Sequence, residues 1–364
     1  MIRSIKHSIC AFLLLWVWSC GSNNDNETPD TPEETETTFI SAVDISSLPE
    51  ILEANTIFYN LDNEATNALT LLKDSGVNTI RLRLWVNPEN GHSGFSEVQQ
   101  FATTLKTYGF KIWLTVHYSD TWADPAQQSI PAAWENDNMA ALITHVQDYT
   151  TQIMTDIAPD FIQIGNEINS GFMHPMGNIN TNPSQFITQM ETAISVVRIV
   201  KPNTKIIVHY AGIEGAEWFY NQINMLDYDM IGLSYYPIWH GKSFTDLENT
   251  INTVATTHNK QVVIAETAYP FTLGWNDWTN NIVGLDEHLI LPDYPATPTG
   301  QKDFVNAIKN LMLNNSNGIG FCYWGAELVA WKGTEATDGS SWENQALFDF
   351  DNKALPVIET FAVD

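Results

Sequence analysis

The chain has few cysteines, little positive charge and no apolar run long enough to cross a bilayer as a helix. Three cysteines occur in 364 residues. Cys10 falls inside an N-terminal leader and Cys20 at its end, so the folded body is expected to keep Cys322 alone and to form no internal disulfide. Stability then has to come from core packing. Lys and Arg number 16 against 43 Asp and Glu, a formal charge of −27. That balance repels nucleic acid and other polyanions from the surface as a whole and favours a neutral partner. No glycine-rich phosphate loop follows the first candidate strand, and no paired His/Cys spacing suggests zinc, so no cofactor is required. There is no internal repeat at a fixed period.

What is present begins with a leader. Arg3, Lys6 and His7 precede an apolar run over 9–18, which has the layout of a secretory signal to be cleaved. The run closes on Val17-Trp18-Ser19-Cys20-Gly21, which resembles a bacterial lipobox. Residues 1–19 would then be a lipoprotein signal peptide, and Cys20 would carry the lipid that attaches the chain to a membrane. The alternative is an ordinary signal with an incidental cysteine, because Trp18 stands where a small residue is usual. Residues 21–37 hold no large apolar side chain and several acids, so 20–37 is expected to be a flexible tether. An acidic stretch after a lipidated cysteine resembles the export signal of Bacteroidetes surface lipoproteins, which implies the outer-membrane surface of a Gram-negative cell.

Residues 38–364 suffice for one large domain. Short apolar or β-branched segments recur at 40–45, 79–84, 111–116, 161–164, 205–208, 230–233, 261–265 and 320–324. Between them lie helical patterns at 65–75, 96–108, 138–157, 183–200, 244–257 and 300–313. Eight strands alternating with helices predict a closed (β/α)8 barrel, an α/β fold whose chemistry sits at the C-terminal ends of its strands. Polar residues gather there: Arg81 and Arg83 before Trp85, His117 to Asp120, Asn166-Glu167, Tyr235-Tyr236, Glu266 and Trp324. Strand alternation predicts that Gln163, Gly165 and Glu167 face inward. It also predicts Val263 and Ala265 facing outward with Glu266 turned in, and Arg81 and Arg83 sharing one face.

Hydrolysis of a glycosidic bond usually takes two carboxyl groups, one to protonate the leaving oxygen and one to attack the anomeric carbon or activate water. Glu167 and Glu266, at the mouths of strands four and seven of a narrow barrel, suit the separation of about 5 to 5.5 Å that gives retention of configuration. Glu266 is assigned as nucleophile, kept ionised by an inward arginine such as Arg83. Glu167 is assigned as acid/base in a drier setting. Asn166 would hold the sugar 2-hydroxyl, and a tyrosine from Tyr235-Tyr236 would orient the nucleophile. A lone glutamate after a strand is more often a surface charge, a lumen arginine is commonly a structural ion-pair partner, and His117 is equally suited to orienting a neighbour. Trp85, Trp239 and Trp324 would serve a core as well as a sugar platform, although their place beside strand ends favours the platform. These residues alone leave mannan, xylan and glucan open as substrates, and also a glycan-binding lipoprotein without activity.

The residues also resemble a family, the endo-β-1,4-galactanases of glycoside hydrolase family 53. The likeness spans about 43–350. It is carried by Asp44-Ile45-Ser46-Ser47-Leu48, the block from Gly76 to Trp85, His117-Tyr118-Ser119-Asp120-Thr121-Trp122-Ala123-Asp124-Pro125, Gln163-Ile164-Gly165-Asn166-Glu167, Gly232-Leu233-Ser234-Tyr235-Tyr236-Pro237 and Glu266-Thr267-Ala268-Tyr269-Pro270. The resemblance implies endo-cleavage of β-1,4-galactan, the neutral side chain of pectin, including type I arabinogalactan. It adds Asp120 and Trp122 to the supporting residues. Two departures stand out. The family's Trp-Glu-Pro run after strand eight is replaced by Trp324-Gly325-Ala326-Glu327-Leu328. Members from bacilli hold calcium in the loop after strand seven, whereas Leu273-Gly274-Trp275-Asn276-Asp277-Trp278 is poor in hard oxygen ligands, so a structural calcium is not predicted though the loop leaves room for one. A monomer is the default expectation.

Overall fold

The computed structural model describes residues 38–363. The leader, the tether and Cys20 lie outside the described residues. Eight parallel strands close into a barrel: β1 (Ile40–Asp44), β2 (Thr79–Leu84), β3 (Lys111–Val116), β4 (Phe161–Ile164), β5 (Lys205–Ala211), β6 (Met230–Ser234), β7 (Gln261–Thr267) and β8 (Gly318–Tyr323). β1 completes the ring by pairing with both β2, where Val43 faces Ile80, and β8, where Ala42 faces Cys322. The expected single-domain barrel is therefore what the chain forms. β5 and β7 run past their expected ends because Tyr210 and Thr267 continue the ladders.

The strands bury both faces, so each reads as a nearly continuous apolar run. Outward residues such as Ile80, Leu82, Leu114, Ile162, Val208 and Ile264 pack with the helices in the larger core. Inward residues Ala42, Trp113, Ile207, Met230, Val263, Ala265 and Cys322 form a separate cluster that fills the lumen. The Arg81 guanidinium lies 5.8 Å from the Trp113 ring centre. It marks the level at which the apolar filling gives way to polar groups.

Helices begin where a side chain can satisfy free amides. Asn138 caps Met139–Asp156, Ser243 caps Phe244–His258 and Thr297 caps Pro298–Asn314. The buried stripe Leu142, Val146, Tyr149 and Ile153 seats Met139–Asp156 on the barrel. Each such side chain stabilises the fold by about 1.5–3 kcal/mol. The helix expected over 65–75 starts late. Asn67 accepts from the amides of Leu69 and Thr70, so the helix is Ala68–Asp74, while Ala65–Thr66 pairs with Phe58–Tyr59 in a small hairpin. Leu48–Glu53 and Ala216–Gln222 are helices that no periodic pattern announced; each is too short to show one.

Two expectations about strand alternation are corrected. Val263 and Ala265 point into the lumen, not outward, while Val262 and Ile264 pack against helices. Glu266 nevertheless reaches the mouth, because β7 carries a bulge: Leu233 of β6 faces Ile264, but the next residue, Ser234, faces Glu266. The extra residue lets Ala265 and Glu266 both serve the inner side. On β4 the pleat ends at Ile164. Gly165 and Glu167 both adopt positive φ, +78° and +46°, so a backbone turn, not alternation, aims Asn166 and Glu167.

Candidate active site

Glu266 is held by two donors. Its Oε1 accepts from Arg81 Nη2 at 2.7 Å and its Oε2 from the Tyr236 hydroxyl at 3.1 Å. The other end of the Arg81 fork, Nη1, donates to Asp44 Oδ2 at 2.7 Å, and Nη2 also reaches Asn166 Oδ1 at 2.9 Å. One buried guanidinium thus ties together β1, β2, β7 and the turn after β4. Burial works against its charge, but the carboxylates of Glu266 and Asp44 more than offset that and hold its pKa above the ordinary arginine value. Burial also raises Glu266 above the usual carboxylate range, while Arg81 and the Tyr236 hydroxyl pull it back.

Glu167 has a different setting. Ser234 Oγ donates to its Oε1 at 2.6 Å. Burial and then the negative charge of Glu266 push its pKa up to about 8, against the pull of Ser234 and Arg81. A carboxylate oxygen of Glu167, one of Glu266 and a ring nitrogen of His209 all lie within 4.8 Å of one another. This close approach matches the short carboxyl spacing of retaining hydrolysis rather than the wider spacing that admits water between the groups. The arrangement offers one carboxyl bound to a cation and one that keeps its proton near neutrality.

A cleft of ≈ 1100 Å³ opens over the pair. Trp85, Trp122, Trp239, Trp324, Trp331 and Trp342 line it. Five of these rings adjoin in a row: Trp324 and Trp342 are 4.6 Å apart between centres, Trp85 and Trp122 5.3 Å, Trp122 and Trp324 5.9 Å, and Trp239 and Trp342 6.1 Å. Such a band presents apolar faces to the C–H faces of sugar rings. Trp239 and Trp122 stay substantially exposed, at 53% and 39%, which a core role would not allow. His117 is buried beside them. Its Nδ1 accepts from the Ala123 amide at 3.1 Å, and burial together with the Arg83 and Arg81 charges keeps the ring neutral.

The model of glycosyl hydrolase family 53 matches residues 40–361. The chain belongs to that family. It is 32% identical to the arabinogalactan endo-beta-1,4-galactanase of Cellvibrio japonicus, over 90% of this chain and 92% of that protein. To the endo-beta-1,4-galactanase of Bacillus subtilis it is 28% identical, over 89% and 85%. The solved catalytic domain of family 53 from Ignisphaera aggregans superposes with a TM-score of 0.84 at 36% identity, covering 92% of this chain and 97% of that one.

Within this family 53 barrel, Arg83 and Asn166 line the cleft while Tyr235 and Asp120 do not. Arg83 is not the partner of Glu266. Two residues along a strand is a step of about 7 Å, which lifts Arg83 to the rim. There its guanidinium bonds Ser93 Oγ and lies 4.4 and 4.1 Å from the Trp85 and Trp122 ring centres. Tyr235 points away from the cleft, packed on Phe244 behind the barrel wall, because adjacent residues at a strand end face opposite ways. Asp120 does not line the cleft. Its carboxylate accepts from the amides of Asn87 and Ala132 and organises the loop after β3. Asn166 lines the cleft with its oxygen already engaged and one amide hydrogen given to Ala123 O at 2.9 Å, so one hydrogen is left for a sugar hydroxyl. Asp44, Arg81, Ser234 and His209 were not singled out as site residues. The available signal was their place on the inner strand faces, but only the closed ring shows which of them meet.

Calcium was not predicted for the loop after β7. The structure supplies donors that a reading limited to 273–278 missed: Asp277 Oδ2, Asn281 Oδ1 and Glu343 Oε2 are shielded from solvent and have no hydrogen-bond partner among the described residues. Glu343 comes from the turn after β8 and receives the amides of Asn276 and Asp277. Carboxylate and amide oxygens are the ligand type calcium takes, and a cation held by them would pin the two loops together.

Proposed function

We propose that this chain cleaves β-1,4-galactan internally and with retention of configuration, with Glu266 as nucleophile and Glu167 as acid/base. The observation that carries the mechanism is the short spacing of two carboxyls in opposed settings, Glu266 on Arg81 and Tyr236 and Glu167 raised to about 8. Glu266 attacks the anomeric carbon while Glu167 protonates the departing glycosidic oxygen. Glu167, now ionised, then takes a proton from water, which attacks the glycosyl-enzyme ester and frees Glu266. Asn166 is suited to the 2-hydroxyl, and the tryptophan band to the flanking sugars. The choice of galactan is supported by the relatives, whose names specify endo-beta-1,4-galactanase, and by the neutrality of that polymer against a charge of −27.

The same proposal puts the enzyme outside the cell, anchored as a monomer through lipid on Cys20, on the support of the leader, the Val17-Trp18-Ser19-Cys20 run and the acidic tether. The substrate test is digestion of β-1,4-galactan by the purified protein beside mannan, xylan and arabinan, with product size followed in time and the first-formed anomer read by NMR. Intermediate oligomers of β configuration from galactan alone are expected, with kcat/KM falling above about pH 8 as Glu167 loses its proton. No cleavage of galactan, or α-anomers first, would refute the proposal.

A further inference from the structure

Among the described residues, Glu167 Oε1 has one hydrogen-bond partner, the Ser234 hydroxyl, and Oε2 has none. Behind Ser234 stands His209, buried in the lumen, with Nε2 at 2.8 Å from Ser234 Oγ. We propose that Ser234 and His209 form a relay that keeps the proton of Glu167 on Oε2, the oxygen left free for the glycosidic bond. The proposal rests on Glu167 being the acid/base.

The argument starts from the imidazole. Burial, with the Arg81 charge nearby, holds His209 far below the usual histidine range, so the ring is neutral and carries one hydrogen. Its Nδ1 faces two donors, Gln163 Nε2 at 3.0 Å and the Glu167 backbone amide at 3.3 Å. One acceptor, Asn166 Oδ1, is also near at 3.2 Å, but it already receives the charged Arg81 Nη2 at 2.9 Å. The Gln163 amide is itself oriented, since its oxygen receives Arg81 Nε and Nη2 and its nitrogen donates to Gly165 O. Nδ1 is therefore the acceptor and Nε2 carries the hydrogen.

With Nε2–H donating to Ser234 Oγ, the one hydroxyl hydrogen of Ser234 turns to Glu167 Oε1. A proton resting on Oε1 would then meet a hydrogen head on, so it rests on Oε2. Arg81 consequently serves both carboxyls: it binds Glu266 directly, and through Gln163 and His209 it sets the side of Glu167 that is protonated. The charged and titratable groups facing Glu167 are Glu266 from β7, Arg81 from β2, Asp124 from the loop after β3 and Tyr236 just past β6, with His209 of β5 behind the hydroxyl. Removing the Ser234 hydroxyl changes none of these charges.

The test compares Ser234→Ala, Ser234→Thr and Glu167→Ala on galactan and on a galactoside with a dinitrophenolate leaving group, across pH. Expected for Ser234→Ala is a loss in kcat on galactan of about tenfold to a hundredfold with KM little changed. Most of the first step on the activated substrate, which needs no acid, is retained. The basic limb of the pH profile moves upward, because a donated hydrogen bond favours the carboxylate. Ser234→Thr, which keeps the hydroxyl, should restore the limb, and Ser234→Cys, a weak donor of similar size, serves if the alanine variant does not fold. Equal loss on both substrates with an unmoved limb, while Glu167→Ala spares the activated substrate, overturns the relay alone. Equal loss on both substrates in Glu167→Ala overturns the acid/base reading and the relay with it.

Discussion

Arg81 and Arg83 stand two residues apart on β2 and meet different chemistry. Arg81 divides its fork between Asp44 and Glu266 at 2.7 Å each, a geometry that lysine cannot reproduce. Arg81→Lys is expected to lower kcat by roughly a hundredfold, whereas Arg83→Lys, which loses the paired bonds to Ser93 Oγ and the guanidinium contacts with the Trp85 and Trp122 rings, should act on KM with kcat kept within about tenfold. Steady-state kinetics on galactan separates the two. Glu327 shows the cost of burying a carboxyl without enough partners. Its Oε1 accepts from the Ser47 amide at 2.7 Å while Oε2 has no partner among the described residues. Burial and then Asp44 raise its pKa from 4.5 to about 8. The folded value lies above the unfolded one, so the stability Glu327 contributes is whole below about pH 4.5 and is lost as pH rises through about 8. Glu327→Gln, which cannot ionise, should match the native Tm at pH 4.5 and exceed it by roughly 2–4 °C at pH 9 in thermal melts.

At the scale of elements, two departures from regular strand geometry aim the carboxyls. The bulge in β7 was invisible in Val262-Val263-Ile264-Ala265, where every residue is apolar and either phase of alternation reads equally well. Only the ladder with β6 on one side and β8 on the other reveals the extra residue. The turn after β4 depends on Gly165, whose φ of +78° and whose closeness to Ile168 Cγ2 leave no room for a Cβ. Gly165→Ala is expected to destabilise the fold by about 1–3 kcal/mol and to lower kcat further by moving Glu167, read by denaturant unfolding and kinetics. Strand positions were legible because β-branched and apolar runs of that length have few other uses. Helix starts were legible where Asn138, Ser243 or Thr297 preceded a periodic pattern. They were missed at Leu48–Glu53 and Ala216–Gln222, where fewer than two turns of helix leave no period to read.

For the whole molecule, the net charge bears on the proposed lipid anchor: a protein of charge −27 has no electrostatic hold on an anionic membrane, so attachment to one would rest on a covalent lipid. Incorporation of a palmitate analogue in cells making the full chain, abolished by Cys20→Ala with release of soluble enzyme, is the expected outcome. An unlabelled native protein would refute the anchor. By itself the sequence determined the barrel, its eight strands, the family and the two glutamates at the mouths of strands four and seven. All of these follow from local pattern and motif. Tertiary structure alone decided that Arg81 and not Arg83 meets Glu266, that Tyr236 and not Tyr235 does so, that six tryptophans line one cleft, and that Ser234 and His209 stand behind Glu167. Tyr236 and Arg81 stand 30 and 185 positions from Glu266, and Ser234 stands 67 from Glu167 and 25 from His209. Their partners are selected by the closure, stagger and bulge of the ring, which no local pattern encodes.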